Sequence, residues 1–237
     1  MYLSKVRLDL NQLSRERLFA IMEGNAYSAH KLLWELFADD DETRDFLFRQ
    51  ELEEGESPTA IKGLPLFYVL SRRLPKTSLA HLEVTTQAFS PRLSVGQTLA
   101  FRLRANPTVA RCGNGEGRSH RCDVLMDAKR RFAKEQRSST QCIEAMDQAA
   151  RDWLLKRVDR LGVDIDTDTL AAGSYRQHLF YKTPDGKEKR GREVRFSSVD
   201  YEGRLTVTDP ERLLETLSQG LGRAKGFGCG MLMVRPA

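Results

Sequence analysis

The sequence predicts an α+β protein made of two successive domains, because a similar succession of strand and helix patterns occurs twice along the chain. Residues 2–10 alternate apolar and polar side chains, which is typical of a strand, and a helical region and further extended stretches follow. A short segment that begins with proline and ends with glycine separates this succession from the second. We therefore expect an N-terminal domain over residues 1–90, a linker over 91–96 and a C-terminal domain over 97–237.

In the first half, the opening strand is followed by helices and then by three extended stretches. Ser14 is a suitable N-cap for the first helix, which the dipeptide Gly24-Asn25 interrupts. Asn25 is in turn the expected N-cap of a second helix that reaches about Phe37. The extended stretches span residues 44–52, 64–74 and 82–89. This order of strand, helix and three strands resembles half of a ferredoxin-like fold.

The second half repeats the mixture of strands and helices. We predict a strand over residues 98–105, a long polar loop over 106–123 and a helix over 142–161. Further strands are expected near residues 174–183, 193–199 and 204–208. Asp209-Pro210 predicts the start of another helix, with an apolar face formed by Leu213, Leu214 and Leu217. A glycine-rich segment and a strand over 231–234 follow.

The charge of the chain is unevenly distributed. Thirty-eight Lys and Arg side chains oppose 33 Asp and Glu, which gives a net charge of +5. Residues 1–60 carry a net charge of −6, and the remaining 177 residues carry +11. This excess in the rest of the chain indicates a polyanionic partner, although a solvated basic surface without function would give the same composition.

Composition excludes several classes of protein. Hydrophobic residues make up 40% of the chain, 11 Phe among them, which is enough to form a core and excludes wholesale disorder. No run of about 18 uncharged apolar residues predicts a membrane span, and the first residues lack the pattern of a signal peptide. The four cysteines form no C-x-x-C motif, which in a chain of this size indicates a reducing cytoplasm.

Cys112, His120 and Cys122 are the side chains that could bind zinc. The nine-residue gap between the two cysteines differs from the spacing of zinc fingers and ribbons, and a fourth ligand is missing. We therefore interpret these residues as part of the polar loop, with the cysteines unpaired. The sequence predicts no metal and no cofactor.

Residues 220–230, with the sequence GLGRAKGFGCG, carry five glycines around Arg223 and Lys225. Glycine allows positive φ angles and close backbone approach, so this segment could place amide groups and two cations along a phosphate chain. It is neither a P-loop nor a dinucleotide fingerprint, because it precedes a strand and lacks their spacing. The alternative is a tight connection between helix and strand. The candidate binding residues are Gly220, Gly222, Arg223, Lys225, Gly226 and Gly228.

Two further groups of basic residues are candidates for contact with a polyanion. Thr183-Pro184-Asp185-Gly186 predicts a turn between strands. Five basic side chains crowd this hairpin: Lys182, Lys187, Lys189, Arg190 and Arg192. The second group lies in residues 102–137, which contain ten Lys or Arg against four acids and include Lys129, Arg130 and Arg131. Either group could instead be an ordinary solvated face.

Five stretches of the sequence together resemble one family, the CasE repeat-processing endoribonucleases of the subtype I-E Cascade complex. They are GLGRAKGFGCGMLMV from residue 220, MYLSKVRL at residue 1, RDFLFR at 44–49, LPLFYVLS at 64–71 and FRLRANPT at 101–108. These stretches keep the family's order and lie in both halves of the chain. Together they are more specific than the glycine-rich segment alone.

The resemblance implies two tandem ferredoxin-like (RRM-like) domains. It also implies metal-independent cleavage of a CRISPR transcript at the 3′ base of each repeat hairpin. The expected partners are CRISPR repeat RNA, which the protein keeps after cleavage, and the other Cascade subunits. A hairpin that projects basic side chains suits such a ligand, because an RNA stem is recognised by its phosphates and its shape.

The resemblance also implies the catalytic residues. The family's tyrosine and histidine, three residues apart on a helix, match Tyr27 and His30 in the motif YSAH. Neighbours at i and i+3 share a helix face, and the first turns of a helix favour a phosphate. Histidine can take a proton from a ribose 2′-hydroxyl or give one to the leaving 5′-oxygen, but not both at once. The second proton carrier is Tyr27, a lysine or water, and Lys31 could stabilise charge on the phosphate.

Without the resemblance, a histidine beside a tyrosine on a helix would more often be a surface or core residue. His81, His120 and His178 belong to no such motif, and we interpret them as structural. The main alternative function is a non-catalytic scaffold that binds RNA stem-loops with the same double fold. A zinc-dependent nucleic-acid module is a remote third possibility.

Overall fold

The structure is a computed structural model of the chain, and it describes residues 1–22, 26–37, 45–53, 63–112, 119–182 and 191–237. These residues form six α-helices: α1 (Arg15–Met22), α2 (Ala26–Trp34), α3 (Val124–Lys129), α4 (Thr140–Leu155), α5 (Val158–Leu161) and α6 (Pro210–Gln219). They also form eleven strands: β1 (Tyr2–Leu8), β2 (Phe46–Leu52), β3 (Pro65–Ser71), β4 (Leu82–Ala88), β5 (Thr98–Ala105), β6 (Thr108–Cys112), β7 (Ser119–Asp123), β8 (Val163–Ile165), β9 (Ala171–Lys182), β10 (Arg192–Val207) and β11 (Leu232–Pro236). Within these ranges, every helix falls short of the length and apolar character that crossing a membrane requires.

The first four strands form an antiparallel sheet in the order β2-β3-β1-β4. The alternation at the start of the sequence has a direct cause, because Val6 and Leu8 of β1 face a core that includes Leu33 of α2. This strand order is that of a ferredoxin-like domain. Residues 72–81 join β3 to β4 without a helix.

The second sheet has the order β11-β5-β10-β8, and β9 pairs with the first part of β10. Helices α4 and α6 contribute to its core through Trp153, Leu154, Leu213 and Leu217. The central pair of strands and the two helices repeat the ferredoxin-like arrangement of the first half. A long β9–β10 pair extends beyond this arrangement, because β10 spans 16 residues.

Two helix starts are confirmed by their capping contacts. The backbone amide of Arg17 donates to Ser14 Oγ at 3.3 Å. Asp209 Oδ1 accepts from the amides of Glu211 and Arg212, each at 3.1 Å, and Pro210 occupies the first helical position. Helix α2 begins at Ala26, and the predicted break at Gly24-Asn25, with Asn25 as a cap, lies outside the described residues.

The prediction of a long loop over residues 106–123 is wrong. In the described part of this stretch, β6 pairs with β7, with Arg111 opposite His120, and Asp123 then caps α3. A two-stranded ribbon that leaves many of its side chains exposed gives little apolar alternation in the sequence. Short polar strands are therefore hard to distinguish from a loop.

Two element boundaries and one helix face in the second half also differ from the predictions. The strands expected over 193–199 and 204–208 are one strand, β10, because Tyr201 is buried in the core and pairing with β5 continues through Gly203. The helix expected over 142–161 is divided into α4 and α5. Leu214 is 40% exposed and does not belong to the apolar face that Leu213 and Leu217 form.

A charged link and an apolar cluster join the two sheets. Arg104 on β5 donates to both carboxylate oxygens of Asp200 on β10, at 2.8 and 2.9 Å, and to the backbone carbonyl of Gln50 on β2 at 2.9 Å. Leu47 of the first sheet packs in one cluster with Met231, which precedes β11. These contacts hold the second sheet, and Met231 directly after the glycine-rich segment, against the first sheet.

Candidate nucleic-acid interface and active site

Helix α2 carries the three candidate catalytic residues on the side that faces away from the core. Ala29 and Leu33 are buried, whereas Tyr27 and His30 are half-buried and Lys31 is exposed. The Lys31 ammonium lies 5.2 Å from the centre of the Tyr27 ring, within the range of a cation–π contact. The structure therefore brings these three side chains together within little more than one helical turn.

Two phenylalanines from the second half contact the tyrosine and the histidine. The ring centres of Tyr27 and Phe180 are 6.3 Å apart with nearly parallel planes, and those of His30 and Phe227 are also 6.3 Å apart. Phe180 and Phe227 contact each other edge to face at 5.1 Å. We call these four residues the ring cluster. It places the candidate catalytic helix where the two halves meet.

Phe196 and His178 extend the ring cluster toward a neighbouring groove. Phe196 contacts Phe227 at 5.5 Å and stacks on His178 at 4.4 Å between ring centres. The His178 Nε2 atom lies 2.8 Å from Ser198 Oγ. Burial, together with the charges of Arg104 and Arg176, lowers the pKa of His178, so this imidazole is neutral near pH 7.

The groove has a volume of about 940 Å³, and Phe196 and His178 belong to its lining. Six cationic side chains also line it: Arg121, Lys129, Arg130, Arg137, Arg195 and Arg223. Among the described lining residues Asp123 is the single acid. A concave surface with this excess of positive charge attracts a polyanion. The predicted basic region over residues 102–137 thus contributes four of the six cations.

Asp123 holds two walls of the groove together. Its Oδ1 accepts from the amides of Leu125 and Met126 at the start of α3, at 2.7 and 3.0 Å. Its Oδ2 accepts from the hydroxyl of Tyr175 on β9 at 3.0 Å and from the hydroxyl of Ser197 on β10. Both carboxylate oxygens of Asp123 thus accept hydrogen bonds, and these bonds fix α3 against the sheet.

The glycine-rich segment has features of both alternatives considered for it, in different residues. Gly220, Gly222 and Gly228 have positive φ angles of 73°, 81° and 81°, whereas Gly226 is not among the positive-φ residues. Arg223 lines the groove, as a binding role requires. The Lys225 ammonium donates to the backbone carbonyl of Gln219 at 2.7 Å, at the end of α6. These contacts make part of the segment a structural connection.

Replacing Gly230 with alanine should destabilise the fold more than replacing Gly222. Both have positive φ angles, +87° and +81°, which cost alanine roughly 1–2 kcal/mol. A Cβ at Gly230 would also lie 2.6 Å from the backbone carbonyl oxygen of Leu221, whereas at Gly222 its nearest neighbour is Trp153 at 3.5 Å. We expect Gly230→Ala to lose at least about 2 kcal/mol more in urea unfolding. Equal losses would contradict the close backbone approach.

The basic hairpin is described only at its base. Lys182 and Arg192 face each other across the β9–β10 pair, and the Arg192 side chain is exposed. Lys187, Lys189 and Arg190 lie outside the described residues, so their contact with a ligand stays a prediction. Arg192 is not among the residues that line the groove.

The candidate zinc ligands lie on the β6–β7 ribbon. Cys112 is the last residue of β6 and pairs with Ser119, and Cys122 on β7 pairs with Val109. Among the described side chains, no group of three or more His, Cys, Asp or Glu residues is arranged to hold a metal ion. His120 and Cys122 instead belong to the lining of the basic groove.

The aromatic residues of this site were not predicted from the sequence. Phe180 and Phe227 come from distant segments, and no periodic pattern connects them with α2. One feature of the sequence could have indicated a role for Phe227. It is the single aromatic residue of the glycine-rich segment 220–230. His178, which we interpreted as structural, does form a partly buried hydrogen bond with Ser198, but it also lines the groove.

The fold and the site define a class of proteins with two tandem ferredoxin-like domains and a positively charged groove beside a Tyr/His pair. A sequence model of the family described as CRISPR associated protein matches residues 1–236, and the chain belongs to this family. It is 29% identical, over an alignment of 242 positions that covers 100% of both chains, to the CRISPR system Cascade subunit CasE of Escherichia coli. It is also 32% identical to the CRISPR-associated endoribonuclease Cse3 of Thermus thermophilus, over 148 residues that cover 62% of this chain and 60% of that protein.

Solved structures of such proteins have the same fold. A structure of CRISPR endoribonuclease Cse3 bound to 19 nt RNA superposes with a TM-score of 0.69 at 27% identity, covering 100% of both chains. The CRISPR-associated protein Cas6e from Escherichia coli gives a TM-score of 0.58, also at 27% identity and 100% coverage of both chains. The resemblance to the CasE family and the prediction of two tandem ferredoxin-like domains are therefore confirmed.

Proposed function

We propose that this protein is an endoribonuclease that binds the stem-loop of a CRISPR repeat in the precursor transcript and cleaves it at the 3′ base of the hairpin. It then keeps its product, the mature crRNA, as a subunit of a Cascade complex. The observation that carries the proposal is the position of Tyr27, His30 and Lys31 beside a basic groove, in a chain that belongs to a CRISPR-associated family. The functions named for its relatives, an endoribonuclease and a Cascade subunit, support it.

The reaction we propose is attack of a ribose 2′-hydroxyl on the adjacent phosphate. It leaves a 2′,3′-cyclic phosphate on one product and a 5′-hydroxyl on the other. One proton leaves the 2′-hydroxyl and another reaches the departing 5′-oxygen, and His30 transfers one of them. Tyr27 lies one turn away to carry the other, and Lys31 stabilises the negative charge that develops on the phosphate.

The groove supplies the binding surface in this proposal. Its cations contact phosphates of the stem, which fixes the register of the RNA without reading its bases. Phe196 and His178 line the groove, and Phe196 also contacts both phenylalanines of the ring cluster, so in this proposal a strand bound along the groove continues toward α2. The hairpin with Lys182, Lys187, Lys189, Arg190 and Arg192, and Arg223 of the glycine-rich segment, extend the same interface.

Cleavage should persist in excess EDTA, because the proposed mechanism uses proton transfer by side chains and charge stabilisation by Lys31. The measurement is single-turnover cleavage of a repeat RNA, with and without EDTA, followed on a denaturing gel. Circular dichroism of the same samples checks that the protein remains folded. Activity that EDTA abolishes and that only a divalent cation restores, in a folded protein, would remove this mechanism.

A further inference from the structure

The ring cluster gives both proposed proton-transfer side chains a partner from the other half of the chain. Tyr27 lies against Phe180 with an angle of 9° between the ring planes, and His30 lies against Phe227 at 60°. Phe180 is 8% exposed and Phe227 is half-buried. His30 also contacts Trp34, one turn along its own helix, at 5.6 Å between ring centres. Its imidazole thus packs against rings from both halves.

Orientation matters for this chemistry because a proton-transfer group must lie within hydrogen-bond reach of its oxygen. Tyrosine and histidine side chains each rotate about two bonds, and packing is what selects one rotamer. A displacement of about 1 Å at a reacting group can lower the rate roughly 100-fold. The contacts of Phe180 and Phe227 are therefore suited to determine the rate of cleavage, although neither side chain carries a group that exchanges protons.

Strand β9 connects this packing with the groove. His178 and Leu179 line the groove, and Phe180, the next residue, belongs to the ring cluster. Phe196 on the paired strand β10 contacts both Phe180 and Phe227, at 6.2 and 5.5 Å. RNA bound in the groove would therefore contact the same pair of strands that carries Phe180, and Phe227 packs against this pair through Phe196.

We infer that Phe180 and Phe227 are positioning residues, which hold Tyr27 and His30 in the orientation that cleavage requires. The inference rests on the proposed function and adds two residues to it. The strand pair β9–β10, with Phe227 packed against its Phe196, sets the distance between bound RNA and the two proton carriers. Loss of either ring should affect the chemical step more than RNA binding.

The test uses Phe227→Leu and Phe180→Leu in the full chain, with Phe101→Leu as a matched control. Phe101 is 4% exposed in the core of the second half and contributes to neither the ring cluster nor the groove lining. Three quantities are measured: the single-turnover cleavage rate at saturating protein, the Kd for a repeat RNA with a 2′-deoxy nucleotide at the cleavage site, and the NMR resonance of the His30 Cε1–H group. The resonance is assigned by its loss in His30→Gln.

We expect both ring cluster variants to cleave at least about 10-fold more slowly, with a Kd within about threefold of wild type. The His30 resonance should move in Phe227→Leu, because the ring current of Phe227 is lost. Phe101→Leu should lose stability while its rate and its His30 resonance stay unchanged. A general loss of fold would affect all three variants alike and would overturn the inference.

Failure of the inference is distinguishable from failure of the proposed function. Cleavage at the wild-type rate in Phe227→Leu and Phe180→Leu, while His30→Ala is inactive, overturns only the positioning role. A Kd that weakens as much as the rate falls assigns these phenylalanines to RNA contact, which also overturns it. A wild-type protein that binds repeat RNA and leaves it intact overturns the function itself.

Discussion

His30→Ala should lower the single-turnover rate of repeat-RNA cleavage by roughly 10²- to 10⁴-fold, while affinity for the stem-loop stays almost unchanged. A proton transfer occurs only in the transition state, so its loss affects the rate and not the binding of the substrate. The measurement is cleavage with protein in excess over RNA, together with a binding titration on RNA that carries a 2′-deoxy nucleotide at the cleavage site. This result separates an enzyme from a scaffold.

His81→Ala is the matched control for this prediction. His81 Nε2 lies 2.9 Å from Glu35 Oε2, in the connection to β4, and outside the ring cluster and the groove lining. Its replacement should leave the rate unchanged. Tyr27→Phe then tests the second proton carrier, because it removes the hydroxyl while a ring remains to contact Phe180. Unchanged cleavage in His30→Ala would show that the catalytic role carried over from the family to His30 is wrong.

Neutralising three arginines of the groove should weaken stem-loop binding by about 100-fold at 0.15 M salt, because each lost phosphate contact removes roughly 0.7 to 0.9 from the log–log salt slope. The variant is Arg121→Ala, Arg130→Ala and Arg223→Ala, three exposed residues of the lining. We expect its salt slope to be shallower by about 2 to 3 units. Binding titrations at several salt concentrations measure both quantities.

Two comparison variants make this test specific. Neutralising Arg92, Arg204 and Arg235, which are exposed and outside the groove lining, changes the net charge equally but should leave the slope nearly unchanged. Neutralising Lys187, Lys189 and Arg190 tests the hairpin, where the same decrease in slope is expected if these residues contact the stem. Equal slopes for the groove variant and wild type would exclude the groove as the RNA-binding surface.

Local sequence signals predicted the elements that depend on local chemistry. Asp209-Pro210 marked the start of α6, because a cap and a fixed φ angle act within a few residues. The alternation of β1 was visible because one face of that strand is buried. The β6–β7 ribbon and the continuity of β10 were missed, since they depend on pairing with a partner strand and not on an apolar pattern.

The candidate site could be predicted only in part, for a similar reason. Tyr27 and His30 came from a motif resemblance, Lys31 from its position next to His30, and Arg223 from a glycine-rich composition. The convergence of Arg121, Arg195 and Arg223 on one groove depends on tertiary packing, which brings β7, β10 and the segment after α6 together. The contact of Phe227 with His30 depends in the same way on how the two halves meet. Such long-range contacts produce no characteristic pattern of residue spacing, so the sequence alone does not predict them.

The contact between His30 and Phe227 joins positions 197 residues apart, so the histidine is synthesised long before the phenylalanine that it contacts. A ribosome produces α2 early, and domains fold in turn as the polypeptide grows. The first sheet can therefore form while the segment 220–230 has not yet been made. A fragment released by interrupted translation carries the tyrosine, the histidine and Trp34 but lacks Phe227, the ring from the second half that His30 contacts. The proposed reaction centre, with both of its ring contacts, is therefore complete only in a nearly finished polypeptide.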